Sequence, residues 1–225
     1  MILRTFLRRS PRIASFSSAT SASASQPLLL WLGDDGGPGS ASKKRRLLIP
    51  PSIQSTPHVR HVTTVDDIQA AVTSHYTSDD LDVGGMGEQD AGVWFAAASK
   101  DEDVLDASAL LRDSIEQIKQ ERHGVPFGVC TTGLTNNSVD DVASIGLSIL
   151  NVSLLAASPP DYAAATDGQG NDFGRVCGFI VDAVEKGLAV EVSVLPEYAG
   201  AARELGHSLG ARDVHIVEMA KETQA

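Results

Sequence analysis

Cysteine is scarce in this chain of 225 residues: only Cys130 and Cys177 are present. Two thiols in a chain this long do not form a disulfide framework, so they are expected to be reduced and at least partly buried. Aromatic residues make up 5% of the sequence, which leaves the core to aliphatic side chains. No apolar run approaches the ~20 residues needed to span a bilayer, so no membrane partner is expected. There is no Walker loop, dinucleotide fingerprint or nucleophile elbow, which removes the usual nucleotide-binding and serine-hydrolase readings.

The first 25 residues lack acid entirely. They carry Arg4, Arg8, Arg9 and Arg12 among many serines, with Ile2, Leu3, Phe6 and Leu7 able to gather on one helical face. This is the composition of a transit peptide over 1–25, most simply mitochondrial, with a plastid as the alternative. A secretory signal would need an apolar core of ~7–15 residues, and the arginines interrupt any such core. Setting those four aside leaves 14 basic residues against 29 acidic ones, a net charge of −15. A surface that acidic repels phosphate backbones, so nucleic acid is not an expected partner. The run Lys43-Lys44-Arg45-Arg46 reads as a solvated loop.

What is present is a regular alternation. Gly92–Ser99, Pro126–Thr131, Ser148–Ala156, Leu188–Leu195 and Asp213–Glu218 read as strands. Asp103–Arg122, Ser138–Ile145, Asp172–Lys186 and Tyr198–Leu209 read as helices. Gly124, Gly146, Gly187 and Gly210 each follow a helix, where a left-handed residue ends it. Residues 26–91 give a first strand at Pro27–Gly33, a flexible loop at 34–57 and a first helix through His75. Thr63 and Thr64 are its cap candidates. Six strands alternating with five helices predict an α/β fold, a partial TIM-like (β/α)6 barrel with parallel strands, built mainly by residues 92–225. An open barrel leaves sheet edges, so a homodimer or coverage by the N-terminal segment is expected.

Two stretches resemble a known family. His123–Leu134 (HGVPFGVCTTGL) is similar to the strand and turn that read Thr-Asn-Gly-Leu in radical S-adenosylmethionine (radical SAM) enzymes. Asn151–Tyr162 (NVSLLAASPPDY) resembles the next strand, which often reads Ser-Leu-Asn-Ala before a Pro and a Tyr. The pattern looks closest to the TatD-associated subgroup, whose core is a six-strand partial barrel. The resemblance implies cofactor-facing positions at Thr131, Thr132, Gly133 and Ser153. It also implies a Cys-x3-Cys-x2-Cys loop after the first strand, holding a 4Fe-4S cluster that binds S-adenosylmethionine. Here residues 34–57 contain no cysteine. The Gly-Gly-Glu-Pro motif is replaced by Ala96–Asp101, and the Asn of Ser-Leu-Asn by Leu155. The resemblance thus implies a barrel that has lost the cluster and its radical chemistry, with no cofactor and no metal ligands expected. Such a protein would bind a small ligand or a protein partner without catalysis. One alternative is an active radical SAM enzyme whose cysteine loop is missing from this sequence. Another is an enzyme of a different class using carboxylates such as Asp101 or Glu197.

Other polar residues expected at the strand C-terminal ends, where barrel sites lie, are Ser99, Glu102, Ser158, Asp161 and Glu218. Asp101, Glu102 and Asp103 can supply oxygen to a divalent ion, or simply cap a helix. Thr132 and Ser153 can meet a ligand or satisfy local backbone. His58 and His61 read as a surface loop, His215 as a packed or hydrogen-bonded imidazole, and Tyr162 as packing at a loop.

Overall fold

The computed structural model describes residues 27–33, 46–54, 59–75, 92–98, 102–122, 124–166 and 168–218. The expected transit peptide, the Lys43–Arg45 run, His58, Ser99, Asp101 and most of the loop before residue 92 lie outside them.

Among the described residues, seven strands form one all-parallel sheet: β1 Leu28–Leu32, β2 Val59–Val62, β3 Val93–Ala97, β4 Phe127–Thr131, β5 Ile149–Leu155, β6 Val190–Val194 and β7 Asp213–Ile216. Their order is β2-β1-β3-β4-β5-β6-β7, and the sheet stays open. The six expected strands therefore lie side by side in chain order, as a partial barrel requires. The seventh, β2, includes His61 and lies where the sequence pattern predicts a surface loop. Its four residues, Val-Arg-His-Val, carry too little apolar pattern to register alone, and pairing with the free edge of β1 supplies the missing stabilisation.

Helices connect the strands: α1 Pro51–Gln54, α2 Val65–His75, α3 Ser108–Glu121, α4 Val139–Ser144, α5 Pro159–Ala165, α6 Asp172–Glu185 and α7 Ala199–Ser208. Thr64, one of the two cap candidates, caps α2: its Oγ1 accepts from the Asp67 N–H, and the Asp67 carboxylate accepts in return from the Thr63 and Thr64 amides. The helix expected over Asp103–Arg122 begins instead as a 3-10 turn, Val104–Ala107, before α3. Tyr162 is not in a loop. It is buried on α5, its ring 5.8 Å from that of Phe173.

Side chains on the two sheet faces meet different partners. Leu28, Leu30, Phe95, Val129, Val152, Val192 and Val214 enter the main core with α2 to α7. The opposite, inner face carries Leu29, Trp94, Ala96 and Cys130, which pack with Ile49 and Ile53 of α1 and the segment before it. The crossover from β1 to β2 runs opposite to those that follow, so a right-handed connection puts α1 on the other side. α1 thus lies on the face opposite to α2 to α7.

Candidate functional site

Strand register aligns the inner face into rows. One row reads Trp31, Ala96, Cys130, Asn151, Glu191, Asp213 across β1, β3, β4, β5, β6 and β7. The next, toward the strand C-terminal ends, contains Ser153, Ser193 and His215. Three neighbouring strands thus place polar residues at alternate positions on one face, because successive side chains point to opposite sides. The result is a polar patch beside the apolar surface under α1.

Within the patch, Ser193 Oγ donates to Asn151 Oδ1 at 2.9 Å. Asn151 is fully buried, and its Nδ2 has no partner among the described residues. Glu191 lies 2.9 Å from His215 Nε2 and 3.8 Å from Arg212 Nη2. The hydrogen bond to Glu191 raises the His215 pKa above its ordinary value, against an opposing contribution from burial. Cys130, wholly buried in the same row, has its thiol pushed up mainly by desolvation and further by the Glu191 charge.

Ser153 faces this patch but does not stand open. Its Oγ accepts from the backbone N–H of Leu48 at 2.9 Å, so residues 46–54 of the chain itself lie against the site. Two strand positions on, Leu155 has φ +64, where the register with β6 slips. Left-handed backbone is uncommon for leucine and costs roughly 1–2 kcal/mol, whereas asparagine tolerates it.

Thr131, Thr132 and Gly133 form a separate cluster. The Asp103 carboxylate accepts from Thr131 Oγ1 at 2.7 Å, from Thr132 N–H at 2.9 Å and Oγ1 at 2.5 Å, and from Leu105 N–H at 3.0 Å. Gly133 takes φ +73, and a Cβ there would lie 3.1 Å from Val152 and 3.2 Å from Phe179, both in the main core. The structure therefore does not join these three residues to Ser153 in one site. Asp103 acts as the helix cap, and its neighbour Asp106 accepts from Thr135 and Asn136. Glu102, Glu197 and Glu218 are exposed, and Ser158 caps α5 through the Asp161 N–H.

No protein-family model matches this chain, and no curated protein matches it.

The residues of the site do not fit an iron–sulfur cluster. Such a cluster needs three grouped thiolates. Cys130 points to the inner face, while Cys177 on α6 packs on the main core across the sheet. The sheet itself separates the only two sulfurs able to serve.

Asn151, Glu191, Ser193 and Arg212 escaped the sequence reading. The available signal was alternation: Asn151 and Ser153, Glu191 and Ser193, and Asp213 and His215 each sit two apart in otherwise apolar strands. His215 is hydrogen-bonded, as its place in a strand suggested.

Proposed function

We propose that this chain is a radical-SAM-like barrel protein, directed to an organelle and most simply to the mitochondrion, that has lost the cluster and its radical chemistry. It acts as a noncatalytic protein that binds a small ligand or a partner through the inner face. The observation that carries the reading is Leu155. The resemblance puts an asparagine at this position, and the backbone holds φ +64, which suits asparagine and strains leucine. A backbone shaped for a polar contact, now filled by an apolar side chain, is the mark of a scaffold outliving its chemistry. The self-satisfied state of the other implied contacts supports the same reading. Thr131 and Thr132 are taken up by Asp103, and Ser153 by Leu48.

The test is anaerobic reconstitution of the full chain with ferrous iron and sulfide. The reading expects no charge-transfer absorption from a cluster after desalting. A stable absorption with stoichiometric iron and sulfide overturns it.

A further inference from the structure

Across the inner face, polarity and exposure change together. Over β1, β3 and β4 the chain closes the face itself. Leu48, Ile49, Pro50 and Ile53 are buried, and Ile49 and Ile53 pack with Trp94, Ala96 and Cys130. Toward β7, the edge of the sheet, the face opens. Asn151 is fully buried and Glu191 nearly so, whereas the side chains of His215 and Arg212 are 24% and 49% exposed.

Two unfilled hydrogen-bonding positions lie side by side in this polar part. Asn151 and Glu191 are register partners on neighbouring strands, so their side chains leave one face about 5 Å apart. The planar Asn151 amide turns Oδ1 to Ser193 and thereby directs Nδ2 away from it. That nitrogen is a buried donor with no partner among the described residues. Glu191 uses Oε2 for His215, while Arg212 Nη2 stands 3.8 Å from Oε1, beyond hydrogen-bond distance. A fixed donor beside a charged acceptor complements a carboxamide, whose carbonyl takes the N–H and whose NH2 meets the carboxylate. A carboxylate ligand has no N–H to give and sets its charge against Glu191. An ammonium group offers Asn151 no acceptor.

We propose that Asn151 and Glu191 form a recognition site for an uncharged carboxamide, entered from the β7 side, with Ser193 and His215 holding the two side chains in place. The inference rests on the reading of the inner face as a ligand-binding surface and names the chemical class that this surface takes. Residues 46–54 stay in place throughout, as the far wall of the site.

The test compares benzamide with benzoate, which match in shape and differ in charge and in hydrogen bonding. Each is titrated into the 15N-labelled full chain and followed by NMR. The side-chain amide signals of Asn151 are assigned by their loss in the double variant Asn151→Leu with Ser193→Ala, which removes the donor and leaves no orphan hydroxyl behind. Benzamide is expected to shift these signals and to saturate in the millimolar range, ordinary for a ligand of about nine non-hydrogen atoms. Benzoate is expected to bind at least about tenfold more weakly. In the double variant, backbone signals of β5 and β6 are expected to report benzamide binding about tenfold weaker than in the parent. Glu191→Gln removes the charge with little change of shape. It is expected to narrow the preference for benzamide over benzoate to about threefold or less, which a purely structural role would not do. The inference is overturned if neither compound shifts the Asn151 signals, or if the double variant binds benzamide as tightly as the parent. Should benzoate bind as tightly as benzamide and lose affinity in the double variant, the carboxamide class is overturned while the inner face stands as a ligand surface. The loss of radical chemistry is decided separately, by the cluster reconstitution above.

Discussion

Ser193 Oγ donates to Asn151 Oδ1 across adjacent strands, yet the buried amide nitrogen of the same asparagine has no partner among the described residues. Satisfying half of a buried amide is an uneasy arrangement, and its energetics can be read by mutation. Ser193→Ala leaves the asparagine oxygen unpaired too and is expected to cost about 1–2 kcal/mol. The double variant Asn151→Leu with Ser193→Ala removes both polar groups and is expected to lie within about 1 kcal/mol of the parent. Urea unfolding curves for the set check the order.

Asp103 ties the start of the 3-10 turn to the end of β4 through buried hydroxyl and amide donors. Asp103→Asn keeps the size but loses the charge and half the acceptor capacity. It is expected to destabilise the protein by about 2 kcal/mol, and Asp103→Ala by more. If either variant unfolds at the same urea concentration as the parent, the carboxylate is not the anchor described.

The His215–Glu191 contact links the edge strand β7 to β6. Because the folded-state pKa of His215 is raised, its contribution is complete below about 6.5, the ordinary value. It is lost as pH rises through the raised value. Stability measured from pH 6 to 9 is expected to fall more in the parent than in His215→Gln, with a difference on the order of 1 kcal/mol. Parallel curves for the two proteins would refute this.

On the inner face, Gly128 leaves room for an aromatic ring. A Cβ there would lie 2.5 Å from the Trp94 indole. Gly128→Ala therefore forces Trp94 to shift and is expected to cost about 1–3 kcal/mol. Its native tryptophan emission should also move, which fluorescence detects directly.

How far the sequence discloses this structure depends on where stabilisation is local. Helix ends were legible because Gly146, Gly187 and Gly210 take left-handed backbone that a side chain resists. Strands β3 to β6 were legible because both faces are buried, giving nearly continuous apolar runs. Strand β2 was not, since its stability comes from β1, some thirty residues earlier. Helix α5 carries a readable start, Ser158 followed by two prolines and Asp161, which lies inside the family-like stretch Asn151–Tyr162. The polar patch is a case apart. Each of its strands offers two polar residues at spacing two, but only strand order and register show that the six form one surface.

The most direct test of lost radical chemistry is turnover. Full-length protein, reconstituted anaerobically with iron and sulfide, is given S-adenosylmethionine and dithionite, and 5′-deoxyadenosine is measured by chromatography. The account expects none above a protein-free control; sustained formation dependent on the protein would contradict it.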